Sequence, residues 1–175
     1  GRRNSVGRAA VAVPGNLTAW CELLSRHGRL PLADVVEPAI GFAARGFAAT
    51  QYLADCVADC APDLARDPEI ARVFMPGGAP LAAGARVVNA AYADTLRTIV
   101  RDGPAALYRG ALGAALADDA ARHGAYLGRE DLAGYRTRDL DVLRAVYRGF
   151  EVLGPPPPCS GPLHIGQMLA ILEGF

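Results

Sequence analysis

The chain has 175 residues, of which 51% are apolar and 21% are charged, as in an ordinary globular protein with one core. Its 18 basic and 18 acidic residues give a formal net charge of zero, which does not favour binding to nucleic acid or to an anionic membrane surface. All basic residues are arginines, and this excludes Schiff-base and P-loop chemistry by lysine.

No membrane-spanning segment is predicted, because no run approaches the ~20 apolar residues that cross a bilayer. Residues 1–5 (GRRNS) are not followed by the apolar region of a signal peptide. The chain begins with Gly1, and its first methionine is Met75. We therefore expect a processed or partial piece of a longer protein, from which a targeting segment would be missing.

Apolar periodicity predicts a mostly helical first half. Residues 9–13 form a short apolar run that fits either a buried strand or an extended segment. Helices are predicted from Asn16 or Thr18 to Gly28, over 32–45 and over 50–66. Pro38 lies inside the second of these and is expected to kink or split it. A turn at Asp67 and a surface loop over 74–80 follow.

Further helices are predicted over 89–101, 112–122 and 129–134, each followed by a glycine or by a change of pattern. Tyr92, Leu96, Ile99 and Val100 are expected to face inward. Residues 143–147 and 150–153 read as two strands around a turn at 148–149. The fold class is thus α+β, with a short β-hairpin near 143–153, and residues 1–175 are expected to form a single unit.

The last stretch, 154–175, begins with four consecutive prolines that favour a stiff extended backbone. Ser160 and Gly161 can cap a helix start, and a proline at the next position suits the first turn. Ile165, Met168, Leu169 and Leu172 then form one apolar stripe, which predicts a buried amphipathic helix.

The cysteines are Cys21, Cys56, Cys60 and Cys159. Cys56 and Cys60 stand four residues apart, which is neither a CxxC motif nor a usual zinc spacing. Small, partly buried thiols are the favoured interpretation, with a disulfide or metal pair as the alternative.

The histidines and Ser160 are the side chains considered as catalytic groups by residue type. His27 and His123 stand at predicted helix ends, where a cation favours the helix dipole. Ser160 and His164 share one helix start and are candidates for substrate binding or for an independent hydrolase, but a capping serine and a surface histidine are the favoured interpretation. Ser160 does not lie in a GxSxG elbow.

Several segments together resemble one family. In collinear order they are residues 10–15 (AVAVPG), 26–31 (RHGRLP), 37–40 (EPAI), 44–47 (ARGF), 107–110 (LYRG), 129–135 (REDLAGY), 147–150 (YRGF), 156–161 (PPPCSG) and 168–175 (MLAILEGF). This set resembles the large subunit of the γ-glutamyltranspeptidases and covers nearly all of residues 9–175. The cephalosporin-acylase-like branch shares the same scaffold.

The resemblance implies the mostly helical lobe of an αββα N-terminal-nucleophile hydrolase. The family precursor cleaves itself, and the new N-terminal Thr of the small subunit attacks the γ-glutamyl amide of a substrate such as glutathione. Water, an amino acid or a peptide then accepts the γ-glutamyl group. The resemblance implies no metal or organic cofactor and a periplasmic or extracellular location; a nucleic-acid partner is not expected from the balanced charge.

No catalytic residue of the family matches a position in this chain. The nucleophilic Thr is expected downstream, and the arginine that binds the substrate α-carboxylate is expected upstream, so Arg2 and Arg3 are not matched to it. Cys159 stands where serine is common, and Pro162 stands where glycine is common. The chain alone is therefore expected to be inactive. The alternatives are an acylase of the same scaffold and a non-enzymatic helical binding module.

Overall fold

The structure, a computed structural model, describes residues 5–175. The chain divides into two compact units, one ending at Arg136 and the other comprising Thr137–Phe175. Each unit is described by itself.

The first unit is mostly helical. Its α-helices are α1 (Asn16–His27), α2 (Leu32–Arg45), α3 (Gln51–Leu64), α4 (Pro68–Phe74), α5 (Ala90–Asp102), α6 (Ala105–Tyr108), α7 (Ala111–Arg122) and α8 (Arg129–Gly134). Short 3₁₀ turns cover Arg8–Ala10 and Pro76–Gly78. Two-residue strands β1 (Phe47–Ala48) and β2 (Arg86–Val87) pair antiparallel.

The pairing of α2 with α5 forms one core of this unit. Ile40 and Ala43 of α2 are buried together with Ala93 and Leu96 of α5. Pro38 lies inside α2 without splitting it, although it has no N–H to donate to the preceding turn. Burial of the apolar faces outweighs the lost hydrogen bond, so of the two expected effects the split does not occur, and the kink stays a prediction.

A second core is formed by residues 49–87, the segment that runs from the end of β1 to β2. It buries Ala49, Ala54, Val57, Met75, Leu81 and Val87. The helix α4 inside this segment was not predicted: Asp67 was read as a turn, but its side chain caps the helix by accepting the N–H groups of Glu69 and Ile70. The expected surface loop over 74–80 is only partly correct, because Met75 is buried.

A third core joins α7 to α8. Leu132 is 1% exposed and packs with Ala117, Ala120 and Leu127. The predicted helices at 112–122 and 129–134 are therefore confirmed to within a residue. Residues 8–10 form a 3₁₀ turn, and Val11 continues in an extended conformation.

The second unit contains the predicted hairpin. Strand β3 (Leu143–Tyr147) pairs antiparallel with β4 (Phe150–Gly154), and Tyr147 faces Phe150 across the turn. Arg148 and Gly149 have φ angles of 46° and 82°, as a two-residue hairpin turn with left-handed central residues requires.

Helix α9 (Gly161–Leu172) packs on this hairpin, and Glu173 accepts the N–H of Arg148 at 3.2 Å. The stripe residues of α9 are less buried than the sequence predicts: Leu169 is half-buried, and Met168 is 54% exposed. Across Thr137–Phe175, all of it described, no residue is buried. The expectation of a buried α9 is therefore not met within this chain.

The α+β class, mostly helical with a hairpin near 143–153, is confirmed by the structure. That residues 1–175 act as one partial large-subunit domain stays a prediction.

Leu132→Ala should lower the free energy of unfolding by about 2–5 kcal/mol, because it opens a cavity in a closely packed core. Urea unfolding followed by circular dichroism measures this change. Leu153→Ala is the matched control, since Leu153 is 53% exposed and its truncation should have a much smaller effect. Equal losses for the two variants would contradict the assignment of Leu132 to the core.

Candidate functional site

Ser160 directly precedes α9 and His164 lies in its first turn, so the two share one helix start, as the sequence predicts. The backbone N–H of His164 donates to the carbonyl of Ser160 at 3.1 Å, and both residues are exposed. The Ser160 side chain makes no capping hydrogen bond, because its backbone is already helical (φ −81°, ψ −20°) rather than extended. Within residues 5–175, no hydrogen bond joins the two side chains, so a nucleophile–base pair is not formed. A role in substrate binding stays a prediction.

The other two histidines occupy helix ends. His27 is the last residue of α1, and His123 directly follows α7. Nδ1 of His123 lies 2.8 Å from the carbonyl oxygen of Asp119, one turn earlier. Both positions agree with the predicted role of a cation at a helix C-terminus.

The four cysteines are free thiols. Cys60 and Cys159 are exposed, whereas Cys21 and Cys56 are partly buried. Burial raises the pKa of the Cys21 thiol. The favoured interpretation of Cys56 and Cys60 as small thiols is thus consistent with the structure, and no group of three or more His, Cys, Asp or Glu residues within the described chain is placed to hold a metal ion.

An ion-pair cluster around Arg8 was not detectable from the sequence. Its Nε lies 2.8 Å from Asp119 of α7, and its Nη1 lies 2.9 Å from Asp67, the cap of α4. Arg122 and His123 approach the same Asp119 carboxylate at 3.5 and 3.3 Å. The hydrogen bond from Arg8 is the main cause that lowers the pKa of Asp119. One arginine therefore connects two helices that are far apart in the sequence.

Tyr108 is a buried connection between α1 and the later helices. Its hydroxyl donates to the carbonyl of Pro14 at 2.5 Å and accepts the N–H of Thr18 at 3.2 Å. Its ring stacks on Tyr135 at a centroid distance of 5.8 Å. Asn16 and Thr18, the predicted caps, lie inside α1, whose first residue is Asn16; the cap position is Gly15, beside the Tyr135 ring. Tertiary contacts therefore set this helix start.

An apolar groove of about 950 Å³ lies between α1 and the α2–α5 pair. Its walls include Leu17, Trp20 and Leu24 of α1, Val35 of α2 and Tyr92 of α5. We call it the Trp20 groove. Tyr92, which the periodicity predicts to face inward, is 52% exposed at its edge. The sequence shows the apolar stripes of α1 and α2 but not the space between them.

A smaller cavity of about 210 Å³ lies beside Tyr108 and includes Arg109 and Arg129. Arg129 is paired with Asp118 at 2.8 Å. The cationic charge of this cavity is thus partly neutralised.

The helices within residues 5–175 include none that is both long enough and apolar enough to cross a membrane. Arg2 and Arg3 lie outside the described residues.

Comparison with known proteins identifies the family to which this chain belongs. The γ-glutamyltranspeptidase family model matches residues 2–175, and the chain belongs to this family. The structure resembles γ-glutamyltranspeptidase of Helicobacter pylori with a TM-score of 0.94 at 26% identity, over 99% of this chain and 50% of that one. It resembles cephalosporin acylase of Bacillus halodurans with a TM-score of 0.89 at 33% identity, over 97% of this chain and 33% of that one.

The curated relatives likewise include both an acylase and a glutathione hydrolase. The chain is 53% identical over 174 residues to acylase ACY 1 proenzyme of Pseudomonas sp. (strain SE83), which covers 99% of this chain and 31% of the relative. It is 32% identical over 175 residues to glutathione hydrolase proenzyme of Escherichia coli (strain K12), which covers 99% of this chain and 30% of the relative. The chain therefore spans less than a third of the length of these curated relatives.

Tyr108→Phe should lower the free energy of unfolding by about 1–3 kcal/mol, because the carbonyl of Pro14 and the N–H of Thr18 lose their partner. Urea unfolding gives the difference. Tyr92→Phe is the control, since the Tyr92 hydroxyl lies on an exposed side chain. If both variants matched the wild type, the Tyr108 hydroxyl would not hold α1.

Asp119→Asn should lower the melting temperature at neutral pH, because Arg8, Arg122 and His123 lose a carboxylate partner. Since the folded-state pKa of Asp119 lies below its ordinary value of 3.8, its contribution is present above that value and is lost as pH falls through the folded-state pKa. The gap between wild type and variant should therefore close in acid.

Melting curves measured across this pH range test the prediction. Asp118→Asn is the control, because the 58% exposed Asp118 side chain pairs with Arg129 at the surface and should matter less. A gap that stays constant into acid would show that the Asp119 charge is not what stabilises the fold.

Proposed function

We propose that this chain is part of a longer amide-cleaving enzyme of the γ-glutamyltranspeptidase family. The observation that carries the proposal is the match of the family model to residues 2–175. Two further observations support it. The relatives are described as proenzymes of about three times this length, and the described residues contain no hydrogen-bonded Ser–His pair at Ser160.

The proposed reaction is acyl transfer through a threonine outside these 175 residues. Self-cleavage of the precursor frees the α-amino group of this Thr, which accepts the hydroxyl proton as the oxygen attacks the substrate amide carbonyl. Backbone N–H groups stabilise the oxyanion, and the amine leaves with a proton. Water then releases the acid, or an amino acid or peptide accepts the acyl group. The chemistry requires no cofactor.

In this proposal residues 1–175 form part of the large subunit, and the small subunit that carries the Thr is its partner. The two compact units of the chain would belong to one αββα scaffold, with the remaining layers supplied by the rest of the protein. Ser160 and His164 are candidates to contact substrate from the start of α9. The exposure of both side chains supports this role.

Two substrate classes compete within the family. The first is a γ-glutamyl amide such as glutathione, with transfer of the γ-glutamyl group to water, amino acids or peptides. The second is the acyl amide of a cephalosporin-acylase-like enzyme. The identity of 53% to an acylase, against 32% to a glutathione hydrolase, favours the second class.

The full-length gene product should hydrolyse an amide substrate, and replacement of its N-terminal small-subunit Thr by Ala should abolish turnover. γ-Glutamyl-p-nitroanilide and an acyl-cephalosporin, assayed side by side, distinguish the two substrate classes. The 175-residue chain alone should hydrolyse neither substrate.

Ser160→Ala provides the control in both proteins. Turnover by the isolated chain that disappears in this variant, or labelling of Ser160 by a fluorophosphonate, would replace the proposal with an independent serine hydrolase. A full-length product without a Thr-led segment and without turnover would favour a binding module.

A further inference from the structure

The Trp20 groove is an apolar surface that residues 5–175 leave uncovered. Trp20 and Leu23 of α1 are 64% and 61% exposed, and Val35 and Tyr92 on the opposite wall are 48% and 52% exposed. These residues line one cavity of about 950 Å³. Contiguous apolar surface of this kind marks an interaction site in soluble proteins.

Helix α1 has an apolar face that the described residues do not bury. Leu17, Trp20 and Leu24 fall on one face of the helix, as in a helix that packs against a core. Yet none of its residues, all of which the structure describes, is buried. Tyr108 holds the N-terminal end of α1 through Pro14 and Thr18. The rest of the apolar face is left facing the gap.

The lining chemistry restricts what fills the gap. Asp, Glu and Arg are absent from the groove lining within the described chain, and its titratable lining residues are Cys21, His27 and Tyr92. A charged segment would lose its hydration there without a partner for its charge. The occupant must therefore present uncharged, apolar side chains to Trp20.

We propose that an apolar segment of the same polypeptide, lying outside residues 1–175, packs into the Trp20 groove and completes the core around α1. This inference rests on the proposed function, in which the chain is part of a longer protein; the curated relatives are about three times as long. A small molecule fits less well, because ligand sites bury roughly 70–90% of their ligand, and here both walls are open to solvent.

Hydroxyl-radical footprinting of the native full-length product, with the unfolded product as reference, tests the inference. Trp20 and Tyr92 should be oxidised severalfold more slowly in the native protein than in the unfolded one, at every protein concentration. Oxidation of Trp20 at close to the unfolded rate would overturn the inference. So would protection that appears only at high concentration, which indicates a second copy, or only after an apolar compound such as decanol is added.

A variant provides an independent measurement. Trp20→Glu in the full-length product should lower its melting temperature clearly more than Tyr52→Glu, because Tyr52 is 79% exposed and lies on α3, outside the groove. Equal melting temperatures for the two variants would count against a filled groove. Footprinting of the wild type remains decisive if Trp20→Glu does not fold.

The same preparation separates this inference from the proposed function. Amide cleavage together with freely oxidised Trp20 would leave the function intact and overturn the filled groove. Protected Trp20 without amide cleavage would support the groove and remove the function.

Discussion

The buried hydroxyl of Tyr108 is the contact on which the first unit depends. It binds the carbonyl of Pro14 and the N–H of Thr18, two backbone groups that flank the start of α1. Its ring stacks on Tyr135, just after α8. Because one side chain satisfies both groups, α1 can begin at a glycine without a side-chain cap. The start of α1, and with it one wall of the Trp20 groove, is thus set by residues about 90 positions away in the sequence.

The sequence predicts helices correctly where their ends are set by capping residues and glycines close by in the chain. Asn89 and Thr50 cap their helices through side-chain oxygens, and Gly28 and Gly46 end theirs. At Pro38 packing outweighs local preference, and α2 continues as one helix without the split that was one of the two expected effects. Prediction failed at Asp67, where a cap followed by a first-turn proline was read as a turn although both residues are typical of a helix start.

The candidate site was predictable only in part, for a similar reason. The helix-end positions of His27 and His123 and the shared turn of Ser160 and His164 follow from short-range spacing. The pairing of Arg8 with Asp119 joins residues 111 positions apart, and no local pattern indicates it. The burial of α9 was overestimated because periodicity identifies an apolar face but does not say which surface covers it.

The short antiparallel pairing of β1 with β2 joins the two ends of residues 49–87. The core between the two strands draws all its buried residues from positions 49–87. The two ends of that segment meet where Phe47 pairs with Val87, and the N–H of Asn89 donates to the carbonyl of Ala43 at 2.9 Å. Helices α2 and α5 pack directly on each other beside this junction. Apart from the ion pair of Asp67 with Arg8, the segment therefore has a buried core of its own, and its length could change without rebuilding the α2–α5 pair.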